Sequence, residues 1–283
     1  MAAPAPVGEV GSLIARLRQE AGGGAVGLGV DFPIGLPRAY ADRYATTAFF
    51  PAFLRQLADR PEFFRVCADL AEAGPERPFY PARGFRGMTR AAHAAALGFD
   101  AAAALSRLCD RATAERPAGA PLFWTLGANQ SGKAAIAAWR DLLIPALAGA
   151  QPPLLWPFDG DFSDLLTPGV VAIAETYPAE ALRHLGLRLN GSKRRQTDRA
   201  ALGPALRAAM VTLHADAEPG LARAIADGFG ADPAGEDRFD STLGVLAVIN
   251  VLAGNRPDGT PDDPWLRQWE GWVLGQTALP LGH

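Results

Sequence analysis

The sequence predicts an α/β protein with a mostly parallel sheet, and three observations support this class. The chain of 283 residues is 49% hydrophobic, which is enough to bury a sizeable core. Two short apolar runs, at residues 25–30 and 170–174, have the length and composition of buried strands. Segments with helical patterns separate these runs, and such alternation is typical of parallel sheets, whose strands need long crossover connections.

The other elements follow from apolar periodicity and from glycine and proline. The N-terminal segment 11–21 has Leu13, Ile14 and Leu17 on one side of a helix, and the glycines at 22–24 end it. The same spacing predicts helices at residues 49–57, 62–72, 89–97, 101–114, 133–148, 179–185, 196–213, 220–228 and 241–253. Further strands are expected at 121–126 and 154–158. We therefore expect one α/β domain over residues 1–283, with residues 38–120 as a helical insertion.

Composition and charge exclude several classes of protein. The net charge of -3 is too small for bulk attraction of polyanions or membranes, so a nucleic acid would need a local basic patch. The N-terminus has no uninterrupted apolar core of the signal-peptide type, and no stretch approaches the length of a membrane span. Cys67 and Cys109 have neither disulfide nor zinc-site spacing. A cytoplasmic protein without a membrane partner is expected.

Three separated acidic residues lie where an apolar segment meets a turn or a helix start. Asp31 and Glu175 each end a predicted strand, and Asp240 precedes an apolar helix, with Asp237 one turn before it. A carboxylate there is costly unless it is paired, and converging carboxylates suit a hard divalent cation that activates water. We predict Asp31, Glu175 and Asp240 as catalytic residues and Asp31, Asp240 and Asp237 as ligands of Mg²⁺ or Mn²⁺.

Each acidic residue also has a purely structural interpretation. Asp31 could be a turn residue before Pro33, and Glu175 could orient a neighbouring arginine. Asp240 could be the N-cap of the apolar helix, beside Ser241.

Two segments are candidate phosphate sites. Residues 127–133 match G-x-x-x-x-G-K between a strand and a helix, but Ala134 replaces the hydroxyl that reaches magnesium in a P-loop. Asn129, Gln130 and Lys133 are therefore predicted to bind phosphate at a helix start rather than to hydrolyse a nucleotide. The strongest basic cluster, residues 191–199, is predicted to hold phosphates through Lys193 and Arg194, unless it is only a solvated charged face.

Several short motifs resemble, in the same order, a family of predicted ribonuclease-H-like nucleases. They are Asp31-Phe32-Pro33-Ile34-Gly35-Leu36-Pro37, Glu175-Thr176-Tyr177-Pro178, the stretch from Lys193 to Arg199, Phe239-Asp240-Ser241 and Glu270-Gly271-Trp272. The likeness spans about residues 24–275. It implies a ribonuclease-H-like sheet flanked by helices and a metal site at Asp31, Glu175 and Asp240, with Asp237 nearby.

The sequence departs from that family at its N-terminus. Such folds begin with a three-stranded antiparallel meander whose first strand supplies an aspartate to the metal site, whereas only a helix precedes Asp31 here. We therefore expect the N-terminal strands to be missing, the metal site to be incomplete, and the strand that ends at Asp31 to lie at the edge of the sheet without a preceding hairpin.

Three functions stay open from the sequence. The first is metal-dependent hydrolysis of a phosphodiester, with nucleic acid or a nucleotide as substrate. The second is binding of a nucleotide or phosphate by residues 127–133, in a protein of nucleotide-cofactor biosynthesis. The third is a non-catalytic interaction protein, which would have affinity for neither metal nor nucleotide.

Overall fold

The chain folds around a small parallel sheet. The computed structural model describes residues 1–84, 86–127 and 131–281. Its strands are β1 (Val26–Val30), β2 (Leu154–Leu155) and β3 (Val171–Glu175), in the sheet order β1-β3-β2, and both pairings are parallel. Val30 lies opposite Glu175 in the register, so the two strands end side by side. The predicted α/β class with a parallel sheet is confirmed.

The edge position predicted for the first strand is also confirmed. Among the described residues, β1 pairs with β3 alone and forms one side of the sheet. Within residues 1–25, all of which are described, the chain forms a helix and no strand.

Helices surround the sheet on both faces. The α-helices are α1 (Leu13–Glu20), α2 (Arg38–Tyr44), α3 (Phe50–Gln56), α4 (Arg90–Ala96), α5 (Ser131–Ala138), α6 (Ile144–Ala148), α7 (Phe162–Leu165), α8 (Pro178–His184), α9 (Gln196–Thr212), α10 (Pro219–Ala226) and α11 (Ala234–Leu252). A π-helical turn, Trp139–Leu143, joins α5 to α6, and a second one covers Leu266–Glu270. In the described part of the chain, no helix is both long enough and apolar enough to cross a membrane.

The central strand β3 separates two apolar clusters. All five of its residues are buried, as expected for a strand that is covered on both faces. Val171 and Ile173 join the larger cluster, which includes side chains of α2, α3 and residues 122–147. Ala172 and Ala174 point to the other face, where they join Val248 of α11. This alternation follows from the two-residue period of a strand.

Glycines in β1 allow α11 to pack closely against the sheet. A Cβ atom at Gly29 would come within 2.9 Å of a methyl group of Val248, and one at Gly27 would also contact that side chain. The long apolar helix α11 therefore lies directly on the edge strand. This packing brings the acidic first half of α11 towards the end of β1.

Three of the predicted elements are wrong. Residues 62–72 and 101–114 form short 3₁₀ turns, such as Pro61–Phe64 and Leu108–Asp110, rather than α-helices. The predicted strand 121–126 is reduced to an isolated bridge between Tyr80 and Trp124. Tertiary hydrogen bonds explain the second case, because the amide of Leu108 donates to the carboxylate of Glu270 at 2.7 Å. Such contacts override a modest helical preference.

Glu175 and residues 269–271 hold the turn that follows Asp31. The amide of Leu36 donates to the carbonyl of Trp269 at 2.7 Å, and the amide of Ile34 donates to Oε2 of Glu175 at 2.7 Å. A Cβ atom at Gly271, whose φ is +66°, would overlap the carbonyl oxygen of Ile34. Glycine is therefore required there by both conformation and space. The turn after Asp31 is fixed from two sides.

Candidate active-site cleft

A cavity of about 510 Å³ opens beside the ends of β1 and β3. Ligands of open α/β sheets bind outside the carboxyl ends of the strands, and this cavity has that position. Its walls include residues that follow the two strands and residues from α5, α8 and the loop before α9. The lining residues are Asp31, Phe32, Pro33, Asp110, Arg116, Pro117, Ala118, Gly119, Ser131, Ala134, Tyr177, Pro178, Ala179, Arg183 and Lys193.

Asp31 lies on the cavity wall, and its pKa is raised. The side chain is exposed, yet the surrounding protein removes part of its hydration, and this desolvation raises its pKa to about 7. The negative charge of Asp240 adds to the rise, while Lys193 opposes it. Asp31 and Asp240 therefore lie within electrostatic range of each other.

Asp240 is bound to a lysine. Nζ of Lys193 lies 2.5 Å from Oδ2 of Asp240 and 3.4 Å from Oε1 of Glu236. Burial alone would lower the pKa of Lys193, but the hydrogen bond and the charge of Asp240 raise it above its ordinary value. Burial also raises the pKa of Asp240, and Lys193 opposes that rise. The contact between Lys193 and Asp240 favours the charged form of each partner.

The position of Asp240 in α11 excludes its interpretation as a helix N-cap. The helix begins at Ala234, so Asp240 lies in its interior, one turn after Glu236. Asp237 is exposed on the same part of the helix, and its charge raises the pKa of Asp240 further. Arg194, whose side chain is 75% exposed, lies 3.8 Å from Glu236. Asp240, Asp237, Lys193 and Arg194 thus meet in one region.

Glu175 does not face the cavity as a free ligand. Its Oε1 and Oε2 accept hydrogen bonds from the two terminal nitrogens of Arg107, both at 2.6 Å, and Oε2 also accepts from the amide of Ile34. Neither side chain is exposed to solvent. The structure therefore places Glu175 in the alternative role that the sequence left open, as the partner of an arginine. This corrects the expectation that Glu175 joins Asp31 and Asp240 at a cation.

Arg107 is the centre of a buried network that sequence reasoning missed. It also binds Asp110, through Nε at 2.9 Å, and the hydroxyl of Tyr177 donates to Asp110 at 2.6 Å. Burial, and then the charges of Asp110 and Glu175, raise the pKa of Tyr177 well above its ordinary range, so the hydroxyl remains a donor. The sequence contains one signal of this network. Arg107 and Asp110 lie three residues apart beside Leu105 and Leu108, and charged residues are rarely found in such an apolar setting unless they are paired.

A second charged group lines the cavity near α8. Nε of Arg116 lies 2.8 Å from Oε1 of Glu180, and Arg183 contacts the same carboxylate at 2.5 Å. Desolvation opposes ionisation of Glu180, but its hydrogen bonds and positive neighbours lower its pKa to about 2. Glu180 thus neutralises part of the positive charge of the two arginines. Arg183 keeps 32% of its side chain exposed and is available to an anion in the cavity.

The start of α5, which ends the candidate phosphate segment, borders the same cavity. Ser131 and Ala134, at the start of α5, line it, and Lys133 is exposed nearby on that helix. Asn129 and Gln130 lie outside the described residues. The helix start therefore faces the cavity.

The carboxylates of Asp31 and Asp240 are the candidate ligands of a divalent cation. Among the described residues, no group of three or more His, Cys, Asp or Glu side chains is arranged to hold a metal ion. Within the same residues, Oδ1 of Asp240 is buried without a hydrogen-bond partner, which leaves one oxygen available as a ligand. Mg²⁺ commonly takes one or two carboxylates and completes its shell with water and substrate phosphate. Asp31 and Asp240 are carboxylates of this chemical type, and each interacts with the charge of Lys193.

Comparisons with known proteins were made by sequence and by structure. No protein-family model, no curated protein and no solved structure matches the chain. The chemistry of the cleft therefore carries the functional argument.

Proposed function

We propose that this protein is a ribonuclease-H-like hydrolase that cleaves a phosphodiester with the help of Mg²⁺ or Mn²⁺. The observation that carries the proposal is the approach of Asp31 to the Lys193–Asp240 pair beside a cavity at the carboxyl ends of two parallel strands. Acidic groups next to basic groups suit a phosphate ester, because the substrate is an anion whose charge increases in the transition state.

Each residue has a defined part in this proposal. Asp31 and Asp240 would hold the ion, and Asp237, one turn before Asp240 on α11, would be the third candidate ligand. Lys193 and Arg194 would contact the phosphate, and Arg183 offers a further cation on the cavity wall. A bound Mg²⁺ or Mn²⁺ would supply a water of lowered pKa and neutralise charge on the phosphate.

The cavity also favours a small substrate. Ligand cavities of roughly 300–1,000 Å³ enclose molecules of drug or nucleotide size, and this cavity has a volume of about 510 Å³. A nucleotide or the end of a single strand fits such a space better than a duplex does.

The direct test is a hydrolysis assay with wild-type protein and the Asp31→Asn variant. The substrates are a dinucleotide and single-stranded DNA and RNA, each with Mg²⁺, with Mn²⁺ and with EDTA. We expect metal-dependent cleavage that falls by about 100-fold or more in the variant, because a bound metal contributes several kcal/mol to the transition state.

The control variant is Asp141→Asn, whose side chain is 45% exposed and does not belong to the described lining of the cavity. It should cleave at the wild-type rate. Cleavage that is unchanged by Asp31→Asn would eliminate the assignment.

A second candidate function is nucleotide or phosphate binding at the start of α5. It is supported by one observation, the presence of Ser131 and Ala134 in the cavity lining. Binding that is lost in Lys133→Ala but kept in Asp31→Asn would favour this function over hydrolysis. A protein with neither activity nor affinity would favour the non-catalytic interaction protein.

A further inference from the structure

The cavity continues along α8, beyond the strand ends at which Asp31 lies. The amide of Thr176 donates to the carbonyl of Val30 at 2.7 Å, so the chain is still beside β1 just before α8 begins. Pro178 and Arg183, near the start and the end of this helix, both line the cavity. A helix rises about 1.5 Å per residue, so the lining covers more than one turn of α8.

Different charged groups act at the two parts of the lining. At the strand ends, desolvation and the charge of Asp240 raise the pKa of Asp31, and Lys193 opposes the rise. On α8, Arg183 contacts the carboxylate of Glu180 at 2.5 Å. In the proposed hydrolase the first group holds the ion and the reacting linkage, which leaves the group on α8 without a ligand.

The buried part of the group on α8 has more positive than negative charge. Arg116 and Arg183 share one buried carboxylate, Glu180, at 2.8 and 2.5 Å. A second carboxylate, Glu115, lies 3.9 Å from Arg183 but is 48% exposed, and an exposed pair at this distance contributes little. Glu180 can therefore neutralise only one of the two guanidinium groups.

Arg183 is the arginine that keeps a donor for a ligand. Its Nε and Nη2 donate to Glu180, and among the described residues its Nη1 makes no hydrogen bond. Arg116 uses all three of its nitrogens, on the carboxylate of Glu180, on two backbone carbonyls and on the side chain of Gln276. Only 10% of the Arg116 side chain is exposed, compared with 32% for Arg183. Nη1 of Arg183 is therefore left to donate to an anion in the cavity.

We propose that Arg183 binds a second phosphate of the substrate, so that the preferred substrate is a short nucleotide chain with a terminal phosphate. This inference rests on the proposed function, in which Asp31 and Lys193 are at the reacting linkage. A cavity of about 510 Å³ is large enough for more than one phosphate group. A terminal phosphate carries about -1.5 to -2 charges at pH 7, which a guanidinium binds through charge-assisted hydrogen bonds.

The test is hydrolysis of a dinucleotide that carries a 5′-phosphate, a 3′-phosphate or neither, by the wild type and by Arg183→Met with Mn²⁺. We expect the wild type to favour one phosphorylated dinucleotide by about 10-fold or more in kcat/KM, because a hydrogen bond to a charged group is worth at least that factor. The preference should lie mainly in KM, since Arg183 binds a group that does not react. In Arg183→Met the ratio should fall to about 1–2. Calorimetry in EDTA measures the same preference without cleavage.

The matched control is Arg188→Met, which removes the same charge from an exposed residue that follows α8 and does not belong to the described lining of the cavity. It should keep the wild-type preference. Arg183→Lys keeps the charge and should retain a larger preference than Arg183→Met. Circular dichroism verifies that all three variants fold.

The outcomes separate this inference from the proposed function. If the wild type cleaves the three dinucleotides with metal at similar kcat/KM, or if Arg188→Met loses the preference equally, Arg183 does not bind a second phosphate and the proposed hydrolase survives. If nothing is cleaved but the calorimetric preference is present and is lost in Arg183→Met, the hydrolase fails and the phosphate site at Arg183 stands. If neither cleavage nor a preference is found, both fail.

Discussion

Asp31 shows how one side chain can be exposed and still have a shifted pKa. It lies on a concave wall, where protein atoms replace part of its water, and it also feels the charge of Asp240. A surface loop would give an aspartate the same exposure without these neighbours. The raised pKa of Asp31 therefore indicates that the end of β1 and the helix α11 lie close together.

The metal-free protein should reveal this shift in its pH dependence. Asp31 has a pKa of about 7 when folded and an ordinary value of 3.8 when unfolded, so between about pH 4 and pH 7 the folded state binds more protons at this site. The contribution of Asp31 to stability therefore increases as the pH falls through that window.

Denaturant unfolding of wild type and Asp31→Asn in EDTA measures the effect. The difference between their unfolding free energies should change with pH between about 4 and 7 and be constant below that window. Carboxyl ¹³C chemical shifts should follow Asp31 directly. A midpoint near 4, with parallel stability curves, would show that Asp31 has no such environment.

At the scale of elements, Arg107 joins segments that are distant in the sequence. It binds Glu175 at the end of β3, Asp110 in its own 3₁₀ turn, and the carbonyl of Glu270 in the second π-helical turn. Burial alone would lower its pKa, but the charge of Asp110, and then that of Glu175, raises the pKa above its ordinary range. This network holds the wall of the cavity against the sheet.

Replacement of Arg107 should destabilise the fold severely. Arg107→Met leaves Glu175 and Asp110 buried without their counter-ion, and loss of one partner in a buried ion pair costs about 3–5 kcal/mol. Arg140→Met is the matched control, because its pair with Asp141 is about half exposed, and it should change the unfolding free energy by less than about 0.5 kcal/mol. Urea unfolding of the two variants gives both values. A loss below about 1 kcal/mol for Arg107→Met would mean that the network contributes little.

The elements that the sequence predicted well are those whose pattern is long or fully apolar. The helix predicted at 196–213 is observed as Gln196–Thr212, and the strand run at 170–174 is observed as Val171–Glu175. Short segments were predicted poorly because distant partners decide their conformation. The turn at Leu108–Asp110 is one such case, because the amide of Leu108 donates to Glu270 and Arg107 binds Asp110.

The candidate site was predictable to the same extent. Asp31 and Glu175 were each expected at the end of a strand, and the register places Val30, the residue before Asp31, opposite Glu175. The pairing of Glu175 with Arg107 was not predictable, because the two residues are 68 positions apart and the charged pattern at Arg107 and Asp110 does not indicate which distant residue it contacts. The contact of Lys193 with Asp240, 47 positions apart, was hidden in the same way.

At the scale of the whole molecule, charge and shape limit how a nucleic acid could bind. The net charge of -3 provides no general attraction, and the charged residues among the described lining of the cavity are two aspartates, two arginines and one lysine. Contact with a polyanion would therefore be confined to the phosphate in the cleft and its nearest neighbours. The proposed hydrolase would therefore contact one phosphodiester linkage at a time.

This confinement predicts a weak dependence of cleavage on salt. For single strands, the slope of log affinity against log salt is about -0.7 for each phosphate that is contacted. With one or two phosphates bound, the logarithm of kcat/KM should fall with a slope of about -0.7 to -1.4, and a dinucleotide and a long single strand should give similar slopes. Initial rates across a series of salt concentrations measure both. A slope steeper than about -3 for a long strand would show that the strand contacts an extended basic surface outside the cleft. The prediction that the cleft contacts one or two phosphates would then be wrong.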